Sequence, residues 1–276
     1  MFFSPVIHKI FSKAFIKDVK CLFDSNLRSS RHEERRLKNL PRFLKTNTKI
    51  NGKLVEFVDI TSFLHLREEI FEKEIYKFPS KIKNPRIIDC GANIGLSTLY
   101  FYEQYPNARI TAFEADPQIF QTLDKNISQL NSNDIEIINK AVWFEKTTLK
   151  FNQNGSDGGN IGMESNSNNC ILVDSVSLSD YLDEPIDFLK IDIEGAEHQV
   201  IPSCKNKLKN VKFLFIEYHS CKNDIQCLDT YLKLLRENNF RYDLHTWNFN
   251  KNPFFKKVDT SKFDLLVNIF AWNDNL

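Results

Sequence analysis

The residues that most clearly predict chemistry are carboxylates at the ends of predicted strands, beside a glycine-containing turn. The segment Ile87–Ser97, IIDCGANIGLS, is typical of a buried strand followed by a turn and the first residues of a helix. The next apolar run, typical of a second buried strand, ends at Glu114. In α/β folds an acid at this second position accepts hydrogen bonds from ribose hydroxyls, and the turn lets the backbone approach the ligand. The sequence therefore predicts a site for a nucleoside cofactor.

The glycine spacing indicates which nucleoside cofactor suits this turn. A dinucleotide fingerprint has three glycines, G-x-G-x-x-G, because a pyrophosphate must reach the helix N-terminus. Here Asn93 stands between Gly91 and Gly95, and Asp89 adds a negative charge just before the turn. This arrangement suits a cationic, phosphate-free ligand such as S-adenosylmethionine. An NAD-dependent oxidoreductase and an incidental glycine turn in an α/β core stay open as alternatives.

A second group of charged residues lies at the end of the predicted strand 186–192. Strand periodicity places Lys190, Asp192 and Glu194 on one side of the segment DFLKIDIEG. A central strand covered by helices on both faces is normally almost entirely apolar, so three charges on one side predict a cleft. A structural ion pair between Lys190 and Asp192 is the alternative.

The following strand repeats this arrangement and supplies candidates for a catalytic base. Glu217 and His219 are two residues apart and share a face at the carboxyl end, where open α/β sheets bind their ligands. Methyl transfer to a hydroxyl requires alignment and a proton acceptor. His219 is the first candidate for the base because its ordinary pKa lies near neutral, and Asp192 is the second. Glu217 is also expected to be a catalytic residue. A histidine with satisfied hydrogen bonds in the core is the competing interpretation.

Metal chemistry stays an alternative at the same strand ends. Carboxylates there could hold Mg²⁺ between two acceptor oxygens, but the sequence supports no specific set of metal ligands.

Composition narrows the class of protein. A formal net charge of +1 argues against a protein whose main role is to bind nucleic acid. The six cysteines form no C-x-x-C pair, which favours thiols in a reducing compartment. No apolar stretch reaches transmembrane length, and His8 and Lys9 interrupt the N-terminal apolar residues too early for a signal peptide. We therefore expect a cytoplasmic protein.

The elements that must position these residues alternate between strands and helices, which predicts a doubly wound, mostly parallel sheet. The last two strands lack a full-length helix between them and predict an antiparallel hairpin at the sheet edge. The predicted strands are 86–90, 109–114, 135–139, 147–151, 171–176, 186–192, 211–218, 240–246 and 263–271, and the predicted helices are 95–104, 117–129, 196–208 and 224–238.

Three further segments lie outside this alternation. Residues 1–45 predict an amphipathic, cationic helical extension that packs on the main domain or lies on an anionic membrane surface. Lys49–Asp59 predicts a hairpin turning at Asn51-Gly52, and Ser62–Phe78 predicts a helix. The polar loop 152–169 is either a lid or acceptor-binding loop, or an inert surface loop. We divide the chain into an extension, 1–45, and a main domain, 46–276, in which the hairpin and helix (46–84) precede the core (85–276).

From about residue 47 to 272 the chain resembles the FkbM-type S-adenosylmethionine-dependent methyltransferases. The order and spacing of several segments carry this resemblance and are more specific than the glycine turn alone. The segments are IDCGANIG (88–95), FEAD (113–116), KAVW (140–143), LKIDIEGAE (189–197) and EYH (217–219).

The resemblance implies a class I methyltransferase fold with seven strands and a set of cofactor contacts. By analogy, the methionine part lies near Asp89, Gly91 and Asn93, the ribose near Glu114, and the adenine near Ala141 and Val142. Gly95 and Asp192 are also expected to be cofactor-binding residues. Family members mostly methylate hydroxyls of sugars and secondary metabolites, often in polysaccharide or natural-product pathways.

The expected function is thus O-methylation of a sugar, glycan or other small-molecule hydroxyl, with no nucleic acid partner. A base N-methylating enzyme is disfavoured, because Asp192–Gly195 stands where an Asn/Asp-Pro-Pro-aromatic segment is expected. A methyltransferase-like scaffold without turnover is the remaining alternative.

Overall fold

The structure, a computed structural model, describes residues 25–153, 155, 159–161, 170–221, 225–246, 254 and 263–275. The helices are α1 (Ser25–Lys38), α2 (Ile60–Arg67), α3 (Leu96–Gln104), α4 (Pro117–Ser128), α5 (Glu197–Ser203) and α6 (Leu228–Glu237). The strands are β1 (Thr46–Ile50), β2 (Lys53–Phe57), β3 (Arg86–Cys90), β4 (Arg109–Phe113), β5 (Ile135–Ile138), β6 (Ala141–Trp143), β7 (Thr148–Asn152), β8 (Asn160–Ile161), β9 (Cys170–Ser177), β10 (Ile186–Ile191), β11 (Val211–Cys221), β12 (Phe240–Thr246) and β13 (Phe263–Asn273). Short helical turns cover Glu68–Glu72, Leu178–Tyr181 and Leu208–Asn210.

Seven strands form the central sheet in the order β12-β13-β11-β10-β3-β4-β5. The five strands from β11 to β5 are parallel, whereas β13 runs antiparallel to both β11 and β12. The predicted doubly wound, mostly parallel sheet with an antiparallel edge hairpin is therefore confirmed. The sheet has the seven strands that the resemblance implies.

The strands are apolar on both sides because helices cover both faces of the sheet. On β3, Ile87 belongs to the core beneath α3 and α4, while its neighbour Ile88 belongs to the core beneath α5 and α6. Phe188 and Leu189 on β10 divide in the same way. The cores fix the strands side by side, so their carboxyl ends meet at one edge.

The N-terminal hairpin β1–β2 turns at Asn51-Gly52, as predicted, with both residues at positive φ. The buried side chain of Asn126 on α4 connects this hairpin to the core through hydrogen bonds. Its Nδ2 donates to the carbonyls of Glu56 and Ile94, both at 2.8 Å, and its Oδ1 accepts from the Glu56 N–H at 2.8 Å. The hairpin is thereby tied to the turn that follows β3.

Several predicted boundaries are wrong. The helix expected over 62–78 ends at Glu72 in a π-helical turn, because the chain reverses at Glu74, which has φ 52°. Tyr76 and Phe78 then pack on Phe188 of the sheet. The helix expected over 196–208 stops at Ser203, and the helix expected from 224 begins at Leu228.

A second sheet, which the sequence did not predict, joins β6, β9, β7 and β8 in that order. The helix expected within residues 1–24 and most of the loop 152–169 lie outside the described residues. Among the residues that are described, no helix is both long enough and apolar enough to cross a bilayer.

Replacing Asn126 by Ala should lower the free energy of unfolding by about 2–4 kcal/mol, since buried backbone groups of Glu56 and Ile94 lose their partners. Urea unfolding of the variant measures this loss. The matched control is Asn131→Ala at an exposed position just beyond the same helix, which should change stability by less than about 0.5 kcal/mol. Equal effects of the two substitutions would show that the hairpin is not held through Asn126.

Candidate active site

A cavity of about 370 Å³ lies at the carboxyl ends of β3, β4, β10 and β11. Its volume falls in the range of small-molecule sites. Most of the residues predicted from the sequence line it, namely Gly91, Asn93, Glu114, Ala141, Val142, Asp192, Glu217 and His219. The cavity thus brings together predicted residues from four strands of the central sheet, from their following turns, and from β6 of the second sheet.

The turn after β3 is pressed tightly against the chain that leaves β10. The N–H groups of Gly91 and Ala92 both donate to the carbonyl of Phe113, at 3.0 and 2.8 Å, which closes the turn against β4. Gly91 has φ 82°, and a Cβ atom there would lie 1.9 Å from the carbonyl oxygen of Asp192. Only glycine fits this position, so the backbone itself forms the floor of the cavity.

Glu114 stands at the end of β4 with both carboxylate oxygens held by backbone donors. Its Oε2 accepts from the Asn93 N–H at 2.9 Å, and its Oε1 accepts from the Asp116 N–H at 2.8 Å. Burial raises the pKa of Glu114 to about 7 against the opposing effect of these two N–H groups. Each oxygen retains a second lone pair, so the carboxylate can accept two further hydrogen bonds from a ligand.

Asp89 and Gly95 do not line the cavity, contrary to the expectation that they surround the ligand. Asp89 is fully buried beneath the turn, where its Oδ2 accepts from Ser97 Oγ at 2.5 Å and Thr98 Oγ1 at 2.9 Å. Gly95 precedes α3 with φ 91°, and a Cβ atom there would lie 2.7 Å from Leu123 Cδ1. Both residues instead contact helices that pack on the turn, Asp89 through α3 and Gly95 through α4.

A buried ammonium group connects the turn to β10. Lys190 Nζ donates to the carbonyl of Gly91 at 2.9 Å and lies 3.4 Å from Asp89 Oδ1 and 3.5 Å from Asp192 Oδ2. Burial alone would lower the pKa of Lys190, but the charges of Asp192 and Asp89 outweigh it and raise that pKa. The structural ion pair between Lys190 and Asp192 is therefore present, and it lies in the wall of the cavity.

His219 is not the near-neutral histidine that the sequence suggested. Its side chain is 3% exposed, and its Nδ1 lies 3.2 Å from Glu197 Oε1. Burial would lower the pKa of His219, but the charge and hydrogen bond of Glu197 raise it to about 10. The imidazole is consequently protonated at neutral pH, and a protonated imidazole cannot accept a proton.

The pKa of the Glu217 carboxyl is raised well above its ordinary range, by burial first and then by the charge of Asp192. Two carboxylates side by side in one cavity repel each other, and this repulsion adds to the effect of burial on Glu217. Asp192, in contrast, has the Lys190 ammonium 3.5 Å from its Oδ2.

The sequence did not identify Glu69, which enters the cavity from the π-helical turn after α2. This carboxyl group is 7% exposed and lies 3.5 Å from His65 Nε2. Burial raises its pKa to about 7, opposed by Lys73 and reinforced by the charge of Asp192. The only sequence signal was the i, i+4 spacing of His65 and Glu69, which is equally typical of a surface pair.

Asp192, Glu197 and His219 place potential metal-ligand atoms within 4.8 Å of one another. Glu197, however, already accepts from the N–H groups of Ile193 at 2.7 Å and Gly195 at 2.8 Å, in addition to His219. Its oxygens fix the turn after β10, and the protonated His219 has no lone pair for a metal. Mg²⁺ therefore finds no support in this cluster.

Comparison with known proteins gives a family match. Residues 89–242 match the model of the methyltransferase FkbM domain. Methyltransferase 1 of Beauveria bassiana is 30% identical over 164 residues, covering 50% of this chain and 65% of that protein. The 2-O-methyltransferase NoeI of Sinorhizobium fredii is 26% identical over 156 residues, covering 49% of this chain and 63% of that protein.

A ribosomal RNA small subunit methyltransferase D from Buchnera aphidicola is 33% identical over 118 residues, covering 39% of this chain and 61% of that protein. The match thus spans less than two thirds of the length of each of these relatives.

The Glu197–His219 pair should make stability depend on pH. The pKa of His219 is 6.5 in its ordinary state and about 10 in the fold, so its stabilising effect is complete below pH 6.5 and is lost as the pH rises through 10. Urea unfolding of the wild type and of Glu197→Gln between pH 6 and 10.5 measures this. The stability difference between the two proteins should shrink over that interval, and a constant difference would contradict the pairing.

Proposed function

The chain belongs to the FkbM methyltransferase family, and we propose that it transfers the methyl group of S-adenosylmethionine to a hydroxyl of a sugar, glycan or other small molecule. The observation that carries this proposal is the pairing of the Gly91 turn with the Glu114 carboxylate across one cavity. The name of the relative NoeI, a 2-O-methyltransferase, supports a hydroxyl as the acceptor.

The residues of the cavity fit S-adenosylmethionine. Glu114, with two free lone pairs, would accept hydrogen bonds from the ribose hydroxyls. The apolar side chains of Ala141 and Val142 would lie against the adenine, and Gly91 and Asn93 would surround the methionine part. Bound there, S-adenosylmethionine supplies an electrophilic methyl group on a sulfonium.

We assign the role of base to Asp192. Its carboxylate would take the proton of the acceptor hydroxyl as that oxygen attacks the methyl carbon. Lys190, 3.5 Å away, holds the carboxylate in place, while the protonated His219 contributes positive charge near it. His219 thus acts by orientation and charge, and not as the base that its ordinary pKa suggested.

The charges in the cavity support a neutral acceptor. Carboxyl groups of Glu69, Asp192, Glu194 and Glu217 all line it, and they outnumber the cationic side chains of Lys140, Lys190 and His219. An acceptor bearing phosphate or carboxylate would be repelled by the carboxyl groups that are ionised. A sugar or another polyhydroxylated molecule instead offers hydroxyl donors to these oxygens. RNA, whose phosphates need a basic surface, fits neither this cavity nor a chain of net charge +1.

A transfer assay tests the proposed function. The purified chain is incubated with methyl-labelled S-adenosylmethionine and, separately, neutral sugars, sugar phosphates, hydroxylated natural products and RNA. We expect label in a neutral hydroxyl compound. Label in RNA alone would overturn the choice of acceptor class, and cofactor binding without transfer to any acceptor would favour the non-catalytic scaffold.

Glu114→Ala should weaken binding of S-adenosylhomocysteine by about 1.5–3 kcal/mol, the cost of hydrogen bonds to a charged group. Calorimetric titration measures the affinity, with Glu136→Gln, an exposed acid on β5, as the control. Because the pKa of Glu114 is about 7, wild-type affinity should also fall between pH 8 and 6, by at most about tenfold per pH unit. An unchanged affinity in Glu114→Ala would refute the ribose assignment.

Asp192→Asn should reduce turnover by about 10²–10⁴-fold, the typical effect of losing a general base. Its effect on S-adenosylhomocysteine affinity should be much smaller than its effect on turnover. Asp183→Asn, an exposed carboxylate before the same strand, serves as the control. If turnover falls no further in Asp192→Asn than in the control, another group accepts the proton.

A further inference from the structure

A second cluster of chemically active side chains lies behind the cavity, between α5, β11 and the start of α6. Cys227 Sγ lies 2.8 Å from His198 Nδ1, and Tyr231 Oη lies 3.1 Å from the same nitrogen. Tyr218 Oη accepts a hydrogen bond from the Cys227 N–H at 3.0 Å. A thiol and an imidazole within hydrogen-bond distance form the nucleophile–base pair of thiol chemistry.

The backbone determines which nitrogen of His198 faces the thiol as a proton acceptor. His198 Nε2 lies 2.7 Å from the carbonyl oxygen of His219, which can only accept, so Nε2 carries the hydrogen. In the neutral imidazole, Nδ1 then has a lone pair directed at Cys227 and Tyr231. The arrangement supplies the third component of such sites, a group that orients the base.

The position of Cys227 differs from that of the buried cysteines. It stands at the N-cap position of the ten-residue helix α6, at the positive end of the helix dipole, and it is partly exposed. Cys90 and Cys204 are buried, and burial raises the pKa of both thiols, that of Cys204 to about 11. Reactive thiols lie in accessible, electropositive surroundings, whereas buried ones are inert.

We propose that Cys227 is a nucleophilic thiol activated by His198, and that it is a covalent modification site for carbon electrophiles. The thiol proton passes to His198 Nδ1, a sulfur lone pair forms the S–C bond, and the leaving group departs with the electron pair of the bond it breaks. Because the activating imidazole is held by the backbone of His219, two hydrogen bonds, through His198, separate Cys227 from a residue of the cavity.

Alkylation of the native chain by iodoacetamide at pH 7 tests this proposal, with iodide as the leaving group. Peptide mass spectrometry over time gives the rate at each cysteine. Cys170 and Cys221, which are similarly half-buried, are the internal controls. We expect Cys227 to react at least about tenfold faster than either. Equal rates at Cys227 and Cys170 would overturn the proposal.

His198→Gln tests the role of the base. Its amide nitrogen can still donate to the His219 carbonyl, while the nitrogen that takes the thiol proton is absent. The rate at Cys227 should fall by about tenfold, and the rate at Cys170 should stay the same. An unchanged rate at Cys227 would show that His198 does not activate it. If the variant does not fold, the alkylation rates of Cys227, Cys170 and Cys221 in the wild type decide the question. These rates do not depend on the identity of the methyl acceptor.

Discussion

The interaction on which the site depends is the buried ammonium of Lys190 between Asp89 and Asp192. Removing one member of such a group leaves an uncompensated charge in the core, at a cost of about 3–5 kcal/mol. Lys190 also donates to the carbonyl of Gly91, so a single side chain connects the glycine turn, the end of β10 and Asp89, whose Oδ2 accepts from Ser97 Oγ on α3. The floor of the cavity is rigid because these three parts share one cation.

A second buried pair shapes the opposite wall. Glu197 binds the N–H groups of Ile193 and Gly195 and the imidazole of His219, so the turn after β10 is held by the next strand, β11. The Lys190 group and the Glu197–His219 pair together position the turns around the cavity. We assign the side of the cavity with Glu114 to the ribose and the side with Asp192 to the acceptor. Positioning of this kind is most of what methyl transfer requires from a protein.

Much of this arrangement could be predicted from the sequence, for identifiable reasons. Glu114 and Asp192 directly follow buried strands, and Glu217 lies in the second half of another. These strands carry a clear period-two or apolar pattern, and parallel strands must bring their carboxyl ends together. The pattern could not show that Asp89 faces Ser97 and not the cavity, because that depends on side-chain direction. It could not show the pKa of His219 either, since the partner, Glu197, lies on a different element.

The central claim is that the cavity binds S-adenosylmethionine, and calorimetric titration of the purified chain tests it directly. The account predicts binding of S-adenosylmethionine and S-adenosylhomocysteine with one site per chain, and no measurable binding of NAD. Binding of NAD in preference to either would contradict it, because the turn around Asn93 would then accommodate a pyrophosphate. Binding of none of the three would contradict the assignment of this cavity to a nucleoside cofactor.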